Sequence, residues 1–277
     1  MPLAFAPALI AAALFVWLER RSPAPLVPPA LFASRTFVAV NVATFLLYGA
    51  LAAIFYELPF AMIQGHGYTA LQSALASLPM MAGLVLLART GAALGRRFGP
   101  GWVLTAGPLL SGCGFAALGR LAENTSYAAS FLPGILLLGI GMGITVAPLT
   151  TAAIDAADPG HVGVASGINS AVARVAGLLA IALFTSVLAF TYASSLAHRL
   201  AAAHATPAQT QAADEQNARL GGARFTDPLL AQASRASFLL GFRAVAYGCA
   251  ALALLAAITS AAGVRRAELG GSEPETG

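Results

Sequence analysis

Residues 124–154 read NTSYAASFLPGILLLGIGMGITVAPLTTAAI and contain no charged side chain. A helix of about 20 such residues crosses the hydrocarbon core of a bilayer. Backbone polar groups inside lipid must be satisfied locally, so a stretch of this kind is predicted to be a helix. Six further uncharged stretches have a similar character: 1–18, 36–56, 58–88, 98–119, 175–198 and 244–264. The sequence therefore predicts an all-α integral membrane protein with seven transmembrane helices.

The composition supports this class. Hydrophobic residues make up 58% of the chain and charged residues 9%, against about 25% charged residues in soluble domains. All 15 basic residues are Arg, so a retinal protein, which needs a Lys for its Schiff base, is excluded. The two Cys have no disulfide or metal spacing. We expect no cofactor, no metal and no nucleic-acid partner.

The distribution of Arg predicts the orientation. The predicted spans are 3–18, 37–60, 69–88, 101–118, 128–150, 163–190 and 244–263. With the N-terminus outside and the C-terminus cytoplasmic, eight Arg lie in short inner segments and only Arg120 lies in a short outer turn. The positive-inside rule favours this arrangement in the plasma (inner) membrane. The long outer segment 191–243 carries five more Arg, so that eight inner Arg stand against six outer Arg when it is included.

The spans divide the chain into three parts. Residues 1–36 are predicted to form a first transmembrane helix and an inner loop. Residues 37–263 hold six helices, which divide as three plus three, a repeat common in secondary transporters. The outer segment 191–243 is expected to contain broken helices or partial disorder. The tail 264–277 is expected to be disordered.

Three groups of motifs carry a family resemblance. The first runs from Leu58-Pro59-Phe60 through Gly67-Tyr68-Thr69 to Leu78-Pro79, and the second is Arg97-Phe98-Gly99-Pro100. The third joins Gly139-x-Gly141-x-Gly143, Ala147-Pro148-Leu149-Thr150 and Ala165-Ser166-Gly167-x-Asn169, and continues to Arg174. Together they resemble the major facilitator superfamily, and more narrowly the C-terminal half of the fourteen-helix drug:proton antiporters. One departure is Arg96, where the family loop usually has an acid.

This resemblance implies a function. The chain would be one linker helix plus the six-helix C-terminal half of a membrane transporter. Such a multidrug efflux antiporter exports a small molecule by alternating access in exchange for protons, and this chain would need an N-terminal half as its partner. The alternative is a membrane protein that does not transport, such as an assembly partner or an inactive remnant.

Arg174 is the first candidate site residue. It lies 11 residues into the sixth predicted span, where a charge costs about 2.5–3.5 kcal/mol. It could bind an anionic group or belong to a gating network. It could equally snorkel or hold neighbouring helices through their carbonyl groups.

The second span carries the candidates for the substrate or proton pathway. Glu57 is the acid inside its apolar part, and a carboxyl group that takes up and releases a proton can couple protons to transport. Alternatively, Glu57 reaches water near the outer end of the span.

Asn41, Thr44 and Tyr48 recur at 3- and 4-residue spacing and share one helix face. This stripe could contact substrate, as the resemblance implies, or form interhelical hydrogen bonds.

A last group of residues concerns gating and helix flexibility. Gly139, Gly141 and Gly143 suit close helix packing, whereas Pro148 in the same span could kink the helix and let it rock. The resemblance implies a gating role for the loop residues Arg96, Arg97 and Gly99. Ser166 has no His beside it in any visible pattern, so we expect the protein not to be an enzyme.

The orientation can be tested with single Cys probes in a background without Cys113 and Cys249. We expect Ser126→Cys to be labelled from outside by a membrane-impermeant maleimide, and Ser34→Cys and Ser272→Cys to be protected. The reverse labelling pattern would invert the topology.

Overall fold

The fold is a bundle of α-helices. A computed structural model describes residues 14, 17–19, 21, 28–121, 126–217 and 225–270, with side chains as far as Val264 in the last helix. No strand occurs within these residues. The first predicted span, 3–18, lies almost wholly outside them.

Helix α1 spans Arg35–Phe60 and continues as a π-helical segment, Ala61–Gly65. Ser34 caps its start, because the Ser34 hydroxyl accepts a hydrogen bond from the Phe37 amide at 3.2 Å. The short helix α2, Ala70–Ala76, begins with a capping box in which the Thr69 and Gln72 side chains bond each other's backbone amides.

Helices α3 (Leu78–Phe98) and α4 (Pro100–Leu118) are separated by one residue, Gly99. Gly99 has φ +85°, a conformation that an L side chain rarely adopts, and Pro100 is preset for the first position of α4. The short helix α5, Tyr127–Ser130, precedes α6, Leu132–Asp155.

The last three helices are α7 (Val162–Ala202), α8 (Pro207–Asn217) and α9 (Pro228–Gly270). Asp227 caps α9 by accepting the Leu229 amide at 2.8 Å, and it ties α9 to α8 through the Gln209 amide at 2.7 Å. These hydrogen bonds lower the pKa of the Asp227 carboxyl group.

Six helical spans in the described residues are long and apolar enough to cross a membrane. They are Arg35–Gly65, Ala70–Phe98, Pro100–Leu118, Leu132–Asp155, Pro159–Ala202 and Pro228–Val264. Successive spans run in opposite directions between two ends of the bundle. The Ser34 end holds Ser34, Gly99, Asp155 and Val264, which line one cavity, and the Gly65 end holds Gly67 and Phe225, which line another.

The six long helices pack in a definite pattern. Helix α1 packs against α7 and α9, α6 packs against α3 and α4, and α9 contacts both α4 and α7. Helices α1 and α6 make few contacts with each other. One continuous core, which includes Leu47, Phe115 and Phe242, fills the space between these helices.

Glycines allow α6 to lie close to two neighbours. Cβ positions built on Gly139 and Gly143 fall within 2.9 Å and 2.6 Å of α3 backbone atoms, and one on Gly141 falls 2.6 Å from the Ser111 nitrogen of α4. A side chain at these positions would force the helices apart. The glycine run in α6 is therefore a packing feature, with residues 139 and 143 toward α3 and 141 toward α4.

The structure differs from the predicted spans at the Gly65 end. Helix α7 continues to Ala202 instead of ending at 190, and α9 begins at Pro228 instead of 244. The predicted outer segment 191–243 is therefore largely helical in its described residues. Ala, Leu, Gln and Arg are good helix formers in water. These helices therefore continue where the sequence becomes more polar. Helix α9 also runs past 264 to Gly270, into the tail predicted to be disordered, and 271–277 lie outside the described residues.

Replacement of Gly141 by Ala should destabilise the bundle. The added Cβ would lie against the Ser111 and Gly107 backbone, and overpacking of this kind costs about 1–3 kcal/mol. We expect Gly141→Ala to unfold at a lower temperature than the parent in detergent. Gly163→Ala is the matched control, because a Cβ at Gly163 meets no atom within 4 Å. Equal unfolding temperatures for the two variants would contradict this interpretation of the packing.

Candidate functional site

The polar stripe of α1 is joined to α7 by an amide. The Asn169 side chain donates hydrogen bonds to the Thr44 hydroxyl at 2.8 Å and to the Asn41 side-chain oxygen at 3.3 Å. Asn41 also donates to the Phe37 carbonyl at 2.8 Å. Thr44 is fully buried, whereas Asn41 is half-buried. The stripe thus forms interhelical hydrogen bonds, and Asn41 keeps some exposed surface.

Tyr48, the third member of the stripe, connects α1 to α6. Its side chain lies beside that of Thr150 in α6, and the Thr150 hydroxyl donates a hydrogen bond to the Val146 carbonyl of its own helix at 3.2 Å. Tyr48 is half-buried. The stripe therefore contacts two different helices, α7 at Thr44 and α6 at Tyr48.

Glu57 is buried and does not reach the surface. Its side chain is 3% exposed and accepts a hydrogen bond from the Thr185 hydroxyl of α7 at 2.6 Å. The Cys249 thiol of α9 is near enough to interact with it electrostatically. Within the described residues, no arginine lies at ion-pair distance from Glu57. The structure therefore excludes a solvated carboxylate at the end of α1.

Two polar links hold α1 and α7 in parallel register. Asn41–Asn169 and Glu57–Thr185 have the same separation of 128 residues, and they lie about 24 Å apart along the helices. Between them the helices meet through small residues: a Cβ on Gly49 would lie 3.3 Å from the Ala180 methyl group. The pair is thus close-packed in its middle and hydrogen-bonded on either side.

Arg174 is an exposed residue of α7 and takes no part in either link. Its side chain is exposed and neighbours the exposed Val175 and Leu178, while Ala176 is buried in the bundle. No hydrogen bond or ion pair joins Arg174 to another described residue. The structure therefore does not bring Arg174 together with Glu57 or with the polar stripe.

The loop between α3 and α4 borders a cavity at the Ser34 end. This cavity of about 770 Å³ is lined by Arg96, Gly99, Pro148 and Asp155, among others. Arg96 and Asp155 are both exposed and are not at ion-pair distance. Arg97 does not line the cavity; its guanidinium lies 5.2 Å from the centre of the Phe98 ring. Of the predicted gating residues, the structure thus places Arg96, Gly99 and Pro148 around one space.

Sequence reasoning did not select several polar partners. Asn169 had a visible signal, since it belongs to the motif that begins at Ala165. Thr150 likewise belongs to a quoted motif, Ala147-Pro148-Leu149-Thr150. Thr185 had no signal, because a Thr in an apolar span is ordinary. Asp155 directly follows the uncharged stretch 124–154 and marks its end.

These features define a multi-pass membrane protein in which buried polar side chains link helices of an apolar bundle. Residues 2–181 match the family model described as Major Facilitator Superfamily. The chain belongs to this family.

Similar curated proteins are named for drug resistance. The chain is 31% identical over 180 residues to the lincomycin resistance protein of Streptomyces lincolnensis, covering 65% of this chain and 37% of that protein. It is 32% identical over 212 residues to the multidrug resistance protein Stp of Mycobacterium tuberculosis, covering 73% and 37%. For the quinolone resistance protein NorB of Staphylococcus aureus the identity is 30% over 188 residues, covering 66% and 39%. The chain thus aligns with well under half the length of each relative.

A solved structure has the same fold. It is a bacterial homologue of the human lysosomal transporter Spinster, in an inward-facing and unoccupied conformation. The TM-score is 0.60 at 16% sequence identity, and the match covers 83% of this chain and 49% of that one. The bundle therefore matches the fold of about half of that chain.

Proposed function

We propose that this chain forms the C-terminal half of a secondary transporter that exports a small, drug-like molecule in exchange for protons. The resistance names of the relatives favour a drug-like substrate. The proposed mechanism is alternating access, in which two six-helix halves rock around a site near the middle of the membrane. The proposed orientation has α1 running from the cytoplasmic side outward, as the Arg distribution favours.

The observation that carries the proposal is the uneven burial of the helices. We compare the share of buried residues in the most apolar stretch of each span. This share is 11% in Ala70–Phe98 and 22% in Pro159–Ala202. It is 56% in both Arg35–Gly65 and Leu132–Asp155. Arg174 lies on one of these unburied faces. A charge at this depth is costly when it faces lipid, so its position favours a second half packed against α3 and α7.

The helix packing supports a three-plus-three repeat. We take α1, α3 and α4 as one triplet and α6, α7 and α9 as the other. The first helix of each triplet packs against the second and third helices of the other, and the two third helices pack against each other. Since α1 and α6 run in opposite directions, this pattern is the one expected of inverted repeats.

Glu57 is the proposed proton carrier. It is a buried carboxyl group with a hydroxyl partner and, in the described residues, no cation at ion-pair distance. An acid in this setting is costly to the fold and is by default a functional candidate. Rocking of the halves would open it to one side and then to the other, which is what proton exchange requires.

The substrate and the gate are proposed to lie toward the Ser34 end. Asn41 and Tyr48 are half-buried and are proposed to contact the substrate, while the buried Thr44 holds α7 in place. The cavity between Arg96 and Asp155 is proposed to narrow on closure, since these two side chains carry opposite charges. Bending of α6 at Pro148 and at its glycines would permit this closure.

The first test replaces the proposed proton carrier. In a transporter completed by fusing or co-expressing an N-terminal half, Glu57→Gln should abolish pH-driven exchange while leaving substrate binding within about twofold. Gln keeps the size and the hydrogen bond to Thr185 but carries no exchangeable acid proton. Substrate flux in vesicles with an imposed pH gradient measures the effect. Glu215→Gln is the control, because Glu215 is an exposed acid on α8.

Unchanged pH dependence in Glu57→Gln would remove this residue from the mechanism. If the parent chain assembles with an N-terminal half and the complex exports nothing, the alternative of a non-transporting partner or remnant is favoured.

The second test concerns Arg174. We expect Arg174→Lys to reach the membrane and transport poorly, because Lys keeps the charge and loses the planar fork that satisfies several acceptors. Arg174→Leu should insert into the membrane and fail to export the substrate. Arg120→Leu is the control, because Arg120 lies outside the spans, and it should transport normally. Export at equal membrane abundance is the measurement. If Arg174→Leu exports as well as the parent, the residue is only an anchor.

A further inference from the structure

The helices α7 and α9 project beyond the rest of the bundle at the Gly65 end. Glu57 is level with Thr185, so Gly65, where α1 ends, is level with residue 193 of the parallel helix α7. Helix α7 continues nine residues further, to Ala202, or about 13 Å. The buried hydrogen bond between Tyr192 and Ser234, at 2.9 Å, holds α9 beside it. The projecting part is therefore a hairpin with a fixed register.

A groove of about 1030 Å³ runs between α7 and α9 along this projection. Near the bundle it is lined by Phe190 and Leu240, which are 77% and 39% exposed. Farther out it is lined by Ser195, His198 and Arg199. The groove thus changes from apolar to cationic along the direction that leaves the membrane.

The cation in the groove points back toward the bilayer. Helical side chains lean toward the N-terminus of their helix, which for α7 is the membrane side. The Arg199 Nε atom donates to the Ser195 hydroxyl at 3.2 Å, so the side chain folds down by one turn. Its guanidinium is then about 7 Å beyond Phe190 along the helix axis. That distance matches the headgroup layer, which is about 5–8 Å thick on each side of the hydrocarbon core.

No carboxylate of the described residues neutralises this cation. Among the described residues, no carboxylate lies at ion-pair distance from Arg199, and His198 beside it is exposed as well. The terminal nitrogens of the guanidinium remain available to an anion, and a phosphate can accept two parallel hydrogen bonds from them.

We propose that this groove binds an anionic phospholipid from the leaflet at the Gly65 end. The lipid phosphate is held by Arg199 and Ser195 with His198 beside it, and one acyl chain follows Phe190 and Leu240. The apolar half of the groove distinguishes a lipid from a free anion. An acyl chain can pack against Phe190, whereas a free anion gains nothing from an apolar side chain. This inference depends on insertion of the chain in a membrane and not on its transport activity.

The chain offers a matched control for charge. Arg235 is also an exposed arginine at the Gly65 end, and it belongs to the same hairpin, but it lines a different cavity with Gly67 and Tyr68. A general attraction of anionic lipid to surface arginines would involve Arg235 as much as Arg199. Lipid binding at a defined site in the groove would involve Arg199 and not Arg235.

The experiment measures lipid binding to the purified full chain by native mass spectrometry. Phosphatidylglycerol, phosphatidylcholine and inorganic phosphate are the probes. We expect phosphatidylglycerol to be retained preferentially. Arg199→Gln should weaken its binding about fivefold, the amount that one cation contributes near an anionic lipid surface. Arg235→Gln should bind it as the parent does.

A second variant tests the apolar half without touching the charge. Ala236 lines the groove, so Ala236→Trp should fill the acyl path and lower lipid retention while Arg199 is intact. The thermal unfolding temperature without added lipid shows that both variants are folded. Equal losses in Arg199→Gln and Arg235→Gln would overturn the proposal, as would full retention in Ala236→Trp. Displacement of phosphatidylglycerol by inorganic phosphate at equal concentration would show a free-anion site and also overturn it.

Discussion

The bundle depends on how closely α6 approaches its neighbours. Helices in lipid gain little from hydrophobic association, so contact between them relies on small residues that allow dense packing. Gly139 and Gly143 bring α6 against the α3 backbone, and Gly141 brings it against α4 on the other side. The α1–α7 pair uses the same device at Gly49. Because these contacts fix the helix spacing, they also set the distances across which the buried polar side chains meet.

The helices that cross the membrane were largely predictable from the sequence, and the helix ends in water were not. Uncharged runs identified the six described spans, because a charge inside lipid is costly enough to limit each run. That cost vanishes outside the membrane, where α7 and α9 continue through Arg199 and Arg235. A count of charges therefore detects the membrane boundary rather than the end of the helix. The six-helix bundle was confirmed in this coarse sense, and the first predicted span lies outside the described residues.

The candidate site was predictable only on one helix. The spacing of Asn41, Thr44 and Tyr48 places them on one face of α1, and the structure agrees. Their partners Asn169 and Thr150 lie more than 100 residues away. Pairing over that separation depends on the register between helices, which backbone periodicity does not encode. Glu57 illustrates the same limit: a position near the end of a span suggested contact with water, but α7 covers it with Thr185.

The polar links also bear on where the bundle can deform. Helices α1 and α7 are hydrogen-bonded at two points and packed through small residues between them, so sliding one along the other would break several contacts at once. Helices α3 and α4 are held to α6 by interlocking backbones. Helix α9 packs on α1 and α7, and the two groups meet mainly where α4 packs against α9. Helices α1 and α6 touch little, and the Tyr48 and Thr150 side chains lie beside each other at their boundary. A movement inside this bundle therefore costs least along the α1–α6 boundary. The half-buried Tyr48, proposed to contact the substrate, lies at this boundary, and on the α6 side Thr150 is two residues from Pro148. In the proposed mechanism, substrate contact and helix bending would therefore involve neighbouring residues.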